Sequence, residues 1–477
     1  MAEIRSRVIT VAPLPPEKCA YALARYSRSP DSIAQSLDWV RGHDSQKFLE
    51  SFYFQYGHAS IADLGHVVMC FEGLSELVAT EVEDEQLWDG QARSSRYQNF
   101  SRSGFITPPG LDPAAQQLYE TTAASLLDEY RAIHTEMVGF LSGKLPRPDD
   151  MKPDVYERNI AARAFDVARY LLFWGIPTGV GQVTSIRTLE KQIRRLKASP
   201  YAEAQSLAAE IAEACTRRPA VGLDESASHD PVAPTLAKYV DPDTHIAESR
   251  ADLAAWVSQN LPPRSMPDPG MVDLVRPVNV PADIVATLLY PVTDRPFREL
   301  YEMACSWSVG LRAEVIDLAV RSRTRRDDLL RGFRGGLYAF DIIMDLGAYR
   351  DLHRHRRCQQ FRQQYGTGLG YDTPQAVIEA GLSGRYKAAV EEAHTAFAGL
   401  PHPHAEYVLP FATRSRFLFK MDFAEAEYMA RLRSGVKGHF SYRSVAWAMK
   451  VAMDAAEPEL GRIIDAVRPS VDDPLKR

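Results

Sequence analysis

Between Arg218 and Asp283 the chain departs from the pattern it follows elsewhere. Prolines accumulate in "HDPVAPTLAKYVDPDTH" and "NLPPRSMPDPG", and a single helical piece, "AESRADLAAWVSQNL", interrupts them. Proline fixes φ and removes a backbone donor, so such a stretch neither continues a helix nor enters the middle of a sheet. It reads as a linker, and it divides the 477 residues into parts of similar size. At roughly 100 to 200 residues per domain, this predicts a first domain over 1–217, a linker over 218–283 and a second domain over 284–477.

On either side of the linker most segments read as helix. "SLLDEYRAIHTEMVGFLSG", "PYAEAQSLAAEIAEACTRR", "RELYEMACSWSVGLRAEVIDLAVRS" and "RYKAAVEEAHTAFAG" place apolar residues at three- and four-residue steps with charges between them. The β-rich runs "RSRVITVAP" and "GHVVMCFEG" are candidates for a small sheet packed beside those helices. The fold class predicted is α+β.

Composition, at 45% hydrophobic and 25% charged residues, excludes collagen-like, disordered and disulfide-scaffold classes. Cys19, Cys70, Cys215, Cys305 and Cys358 are scattered and never form CxxC, so neither a zinc site nor a disulfide framework is indicated. No metal is expected. No apolar run approaches bilayer length and the N-terminus lacks the core of a signal peptide, which predicts a cytoplasmic protein without a membrane partner. A formal net charge of −6 argues against nucleic acid as a partner of the whole surface, though not of a local patch.

One such patch stands out. "RDLHRHRRCQQFRQQYG" gathers Arg350, Arg354, Arg356, Arg357 and Arg362 with His353 and His355, and contains no acid after Asp351. On a helix Arg350, Arg354 and Arg357 would share one side, a basic face whose self-repulsion an anionic ligand offsets. The bland alternative is a solvated surface or a phosphate-backbone contact. "YGHASIADLGHVVMCFEG" sets His58 and Ser60 at a turn before a β-like run, where local hydrogen bonds alone would also account for them. "QARSSRYQNFS" offers Ser94, Ser95 and Arg96 as hydroxyls and a guanidinium suited to phosphate, a combination also found on ordinary polar loops.

Sliding one half of the chain over the other gives a faint internal repeat. "AFDIIMDLGAYRDLHRHRRCQQ" lies over "CFEGLSELVATEVEDEQLWDGQ", and "AEYVLPFATRSRFLFKMDFAEAEYMARLR" over "ARYLLFWGIPTGVGQVTSIRTLEKQIRRL". The sign of the charge differs: where the second half has Arg354, His355 and Arg356, the first has Asp84, Glu85 and Gln86. One copy would attract a phosphate and the other repel it.

Taken in order, "YGHAS", "SSRY" and "RHR" resemble the flavin-dependent thymidylate synthases, whose signature joins an Arg-His-Arg triplet to Ser-x-Arg-Tyr and is preceded by Gly-His-x-Ser/Thr. Here the signature is split. The first half keeps His58, Ser60, Ser94, Arg96 and Tyr97; the second keeps the triplet Arg354, His355 and Arg356. Further on, Arg169 fits the family's arginine before Leu-Pro and Arg187 the arginine of Asn-x-Arg-Ser-Leu, with Ser185 replacing asparagine; the Leu-Arg arginine is missing or displaced to Arg195. In the second half Glu406 stands for the first of these, the second is lost, and Arg433, followed by His439, fits the third. Asp351 and Leu352 precede the triplet where the family has glutamine and tryptophan, and Asp63 lies near a family acid.

The resemblance implies two tandem thymidylate synthase-like domains, mostly helical with a small antiparallel sheet in each. The losses are complementary, which implies one composite site between the halves and a dead reciprocal site containing Asp84 and Glu406. It assigns substrate contacts to Ser94, Ser95, Arg96, Arg169, Arg354 and Arg433, with Arg433 also the catalytic group. Cofactor contacts fall to His58, Ser60, Arg187, Arg354, His355 and Arg356. It implies FAD as cofactor, NADPH and methylenetetrahydrofolate as co-substrates, methylation of dUMP at C5, and a homodimer copying the family's four-domain assembly. Cys358 is not implied as a nucleophile. Two other readings stay open: a flavoenzyme modifying C5 of another uridine nucleotide, and a non-catalytic nucleotide- or RNA-binding paralogue.

Overall fold

The structure is a computed structural model that describes residues 14–26, 32–51, 59–94, 100, 104–220, 230–242, 270–275, 278–323 and 328–475. The chain is an α+β protein with a small sheet on each side of the proline-rich stretch. Strands β1 (His66–Ser75), β2 (Trp88–Ala92) and β3 (Pro177–Ser185) form a three-stranded sheet in the order β1-β3-β2. Strands β4 (Val272–Val275), β5 (Tyr338–Asp345), β6 (Gln359–Arg362) and β7 (Arg414–Met421) form an antiparallel sheet in the order β4-β5-β7-β6. By compactness the chain divides differently from its two halves. One unit comprises Met1–Leu74, Glu81–Ala92 and Gly179–Pro262; the other comprises Ser75–Thr80, Arg93–Thr178 and Pro263–Arg477.

The helical periodicities are realised over Pro113–Lys144, Ala202–Cys215 and Ser383–Gly399. The first begins where Asp112 accepts from the Ala114 and Ala115 amides ahead of a proline at the first helical turn. The long pattern over 298–322 is instead two helices, Phe297–Ser306 and Val309–Val320, because the Ser308 side chain accepts from Leu311 N–H and starts a new helix. "GHVVMCFEG" is β1; "RSRVITVAP" and "AESRADLAAWVSQNL" lie outside the described residues. The proline-rich stretch is not all spacer, since it supplies β4, paired with β5 from Val272 opposite Ile342 to Val275 opposite Ala339.

Within the larger unit, β5 buries Tyr338, Phe340, Ile342 and Met344, and β7 buries Phe417, Phe419 and Met421, the alternation a half-buried sheet face demands. The helix Leu346–Leu352 packs on this face through Tyr349, whose ring stacks on Phe417 at 4.0 Å.

The repeat is written in the backbone of that unit. Trp174 N–H donates to Leu409 O and Phe411 N–H to Leu172 O; Gly175 N–H donates to Tyr407 O and Ala412 N–H to Tyr170 O. Each bond has a mate with the two copies exchanged, around the antiparallel bridge between Phe173 and Pro410. The same correspondence recurs where Glu76 and Leu77 donate to Ile176 and Trp174, and Leu346 and Gly347 to Thr413 and Phe411. It recurs again in the helix caps: Ser75 Oγ accepts from Val78 N–H as Asp345 Oδ1 does from Ala348 N–H. Self-complementary exchange of this kind is what a two-fold interface between identical subunits produces, here made by two copies in one chain.

Candidate functional site

The triplet does not ride on a helix. The helix carrying Arg350 ends at Leu352; His353 to Cys358 form turns leading into β6, so Arg354, His355 and Arg356 lie at a loop between helix and strand. The shared helical face expected for Arg350, Arg354 and Arg357 is therefore not formed. The short helix is buried along its whole length, and its two charged residues need internal partners.

Arg350 is 3% exposed. Its Nε donates to Glu76 Oε2 at 2.6 Å, an ion pair with both side chains buried, and Nη2 donates to the Arg93 carbonyl. That carbonyl immediately precedes half-buried Ser94, so a second-half arginine anchors the start of the first-half "SSRY" segment. Ser95, Arg96 and His58 lie outside the described residues; Ser60 is described in its backbone alone, within the 3-10 turn Ala59–Leu64.

Arg169 is 1% exposed, at the end of the helix Pro153–Ala168. Its Nη2 donates to Gly347 O at 3.0 Å and to Asp351 Oδ2 at 2.9 Å. Its Nε and Nη1 are buried without a hydrogen-bond partner among the described residues. Protein interiors rarely leave charged donors unmet. Asp351, which departs from the resembled family, is thus the internal counter-ion of the arginine expected to hold phosphate.

His355 joins a second arginine. Its Nδ1 lies 2.9 Å from Glu425 Oε1, and Arg433 Nε donates to its Nε2 at 2.8 Å. Because guanidinium only donates, Nε2 must hold a lone pair and the ring proton sits on Nδ1, facing the carboxylate. Burial pulls the imidazole below its usual pKa; Glu425 opposes this and the Arg433 charge adds to it. The ring is accordingly neutral at pH 7. Arg433 is half-buried, its guanidinium carbon 5.7 Å from the Tyr442 ring, and its terminal nitrogens have no hydrogen bond to any described residue. Nearby Cys358 is buried and its thiol is pushed far up by desolvation, which suits no nucleophile. His439, by contrast, is fully buried, caps the helix Phe440–Ala456 and reaches Asp166 O at 2.9 Å, a structural arrangement.

The smaller unit holds Arg187, half-exposed and 2.9 Å from Asp63 Oδ2. It also holds Arg195, where the first copy departs from the second: Arg195 donates directly to Glu85 Oε1 at 3.0 Å and to Glu81 O at 2.7 Å. The arginine on this helix is consumed by a carboxylate, whereas in the second copy an imidazole stands between carboxylate and arginine.

Beside the larger sheet a cavity of about 440 Å³ is lined by Met344, Asp345, Asp372, Arg414 and Ser441 among others. Asp345 is 1% exposed and accepts from Ala348 N–H and from the hydroxyls of Tyr170 and Ser441. Burial, reinforced by Asp372, lifts its pKa from 3.8 to about 6. A raised carboxyl destabilises the fold as it ionises: the penalty is absent below pH 3.8, grows through the interval and is complete above about 6. Two units correspond to about 3 kcal/mol. Denaturant titrations across pH 4 to 8 are expected to show this loss in the wild type and not in Asp345→Asn, whose side-chain oxygen still caps the helix.

A family profile described as "Thymidylate synthase complementing protein" matches residues 7–218 and 331–459. The chain is 24% identical to a UPF0159 protein of Chlamydia muridarum over 412 residues, covering 82% of this chain and 75% of that one. It is also 24% identical to UPF0159 protein Ta1429 of Thermoplasma acidophilum over 491 residues, covering 93% and 94%. Among solved structures, the UMP/dUMP methylase PolB from Streptomyces cacaoi bound with 5-Br dUMP matches 40% of this chain and 92% of its own, at 17% identity and a TM-score of 0.33. Among the described residues no helix is long and apolar enough to cross a membrane, and no group of three or more His, Cys, Asp or Glu side chains is placed to hold a metal ion.

Proposed function

Because the chain belongs to the thymidylate synthase complementing protein family, we propose that it is a flavin-dependent methyltransferase that reductively methylates dUMP at C5, with methylenetetrahydrofolate and NADPH as co-substrates. The observation that carries this reading is the pair of buried or half-buried arginines, Arg169 and Arg433, whose guanidinium nitrogens are only partly used by the protein. Of the residues proposed for the substrate, those described, Ser94, Arg169, Arg354 and Arg433, belong to the larger compact unit, in which the two halves interlock. Arg96 and Arg169 take the phosphate; Arg433 faces the pyrimidine and offers its terminal N–H groups to charge developing on the ring oxygens. One live site and one dead site follow from the contrast between Arg433 and Arg195.

Arg187, Arg354 and Arg356 are each proposed as guanidinium contacts to the phosphates of a flavin dinucleotide. In this reading they hold FAD with His58 and Ser60, and the bound flavin supplies hydride chemistry that side chains lack. His355 acts through Arg433, since both of its ring nitrogens are engaged. The protein is proposed to work in the cytoplasm as a homodimer.

Titrating the oxidised, purified protein with dUMP while recording flavin absorbance tests this reading. A yellow protein whose flavin bands shift on adding dUMP is expected. A flavin spectrum that responds to another uridine nucleotide and not to dUMP would replace the substrate; a colourless protein that retards RNA in a salt-dependent manner would replace the function.

A further inference from the structure

Glu425 belongs to none of the motifs quoted above, yet it contacts the imidazole to which Arg433 donates. It lies in the first turn of the helix Phe423–Arg433, and Arg433 ends the same helix. Glu425 is 4% exposed and His355 5%, so their contact is shielded from water. A neutral imidazole has two tautomers, and only the one with its proton on Nδ1 presents a lone pair to the Arg433 Nε–H. Nothing in imidazole chemistry selects that tautomer strongly; a buried carboxylate 2.9 Å from Nδ1 does.

We propose that Glu425 is a positioning residue of the nucleotide site: by accepting the Nδ1 proton of His355 it turns Nε2 into the acceptor that anchors Arg433 through Nε, leaving both terminal nitrogens aimed at an anionic ligand. The first copy supplies the contrast. There Glu85 reaches Arg195 with no imidazole between them, and the guanidinium is spent on an internal ion pair. Interposing His355 keeps the carboxylate two contacts away from the arginine, so its charge organises Arg433 without neutralising it at close range. Other groups face the ring too: Cys358 in the same turn is protonated, and Tyr428 packs at 5.7 Å. Neither competes for Nδ1.

This inference rests on the proposed nucleotide site, and its test separates the two. In ¹⁵N-labelled full-length protein, His355 is expected to show a protonated Nδ1 and a bare Nε2, with the Arg433 Nε–H shifted downfield by its bond. Glu425→Leu, which fills similar volume without an acceptor, should release that Nε–H. A proton on Nε2 in the wild type, or an unchanged Arg433 signal in the leucine variant, would overturn the proposal whether or not any nucleotide binds. With dUMP as probe, Glu425→Leu is expected to weaken binding about tenfold, yet to add less than about twofold in an Arg433→Ala background. Full additivity would mean that Glu425 acts only on general stability. Should the leucine variant not fold, Glu425→Gln decides: its amide oxygen still accepts from Nδ1, so near-wild-type affinity is expected, and a tenfold loss would refute the acceptor role. Absence of dUMP binding by the wild type would remove the function proposed above while leaving the spectral result to judge the tautomer.

Discussion

Replacing Arg169 by methionine is expected to destabilise the protein by about 3–5 kcal/mol and to remove dUMP binding, and the two losses have separable causes. Stability falls because Asp351 and the Gly347 carbonyl keep their burial and lose the donor 2.9–3.0 Å away. Removing one side of a buried ion pair takes from the other charge the cation it was matched to, and that loss is the larger part of the effect. Arg350 Nη1, 4.0 Å from Asp351, is too far to take over fully. Binding falls because Nε and Nη1, which meet no acceptor among the described residues, are the groups assigned to the phosphate. The double variant Arg169→Met/Asp351→Asn leaves no stranded charge and is expected to regain most of the stability, read from denaturant unfolding, without regaining affinity. If the double variant bound dUMP as the wild type does, Arg169 would be a structural arginine and the phosphate would have to be held elsewhere. The single variant Asp351→Asn belongs in the same series: it removes a competing anion beside the guanidinium, and tighter dUMP binding is expected at a cost in stability.

Local signals were strong wherever a segment's own periodicity decided its structure. The helices Pro113–Lys144 and Ser383–Gly399 and the strand β1 follow directly from apolar spacing. The tandem organisation was faint in side chains yet is unmistakable in the reciprocal bonds around Phe173 and Pro410, because backbone geometry survives substitutions that erase identity. What local pattern could not provide was partnership across the chain. Arg350 and Glu76 meet although 274 residues separate them, and no spacing rule connects them. A hint existed: in "LGAYRDL" an arginine and an aspartate interrupt an otherwise apolar run, as expected of charges that must be paired inside. The loop position of Arg354, His355 and Arg356 escapes local pattern for a related reason. Charge pattern alone resembles an exposed helix, whereas the helix stops at Leu352 and β6 must begin at Gln359, leaving turns between. Glu425 gave no signal at all, since its importance arises only once His355 and Arg433 are adjacent.

The proposed division into a live and a dead copy has its sharpest consequence in two arginines at the ends of corresponding helices. Arg433→Ala is expected to weaken dUMP binding by roughly a hundredfold or more, as truncation of a charge that pairs with an anion usually does. Its effect on stability should be small, because the bond it loses leaves only a neutral, lone-pair-bearing Nε2 behind. Arg195→Ala should show the reverse. Glu85 is half-buried, and desolvation already lifts its pKa despite the opposing Arg195 charge; without the arginine it loses its 2.9 Å ion-pair partner, so stability falls while dUMP affinity stays within about twofold. Isothermal titration with dUMP and denaturant unfolding, applied to both variants, read the four quantities independently. Equal losses of affinity in the two variants would mean that the first copy also binds nucleotide, and that the ion pair of Arg195 with Glu85 opens to admit it; the single-site assignment would then be wrong even if the chemistry were right.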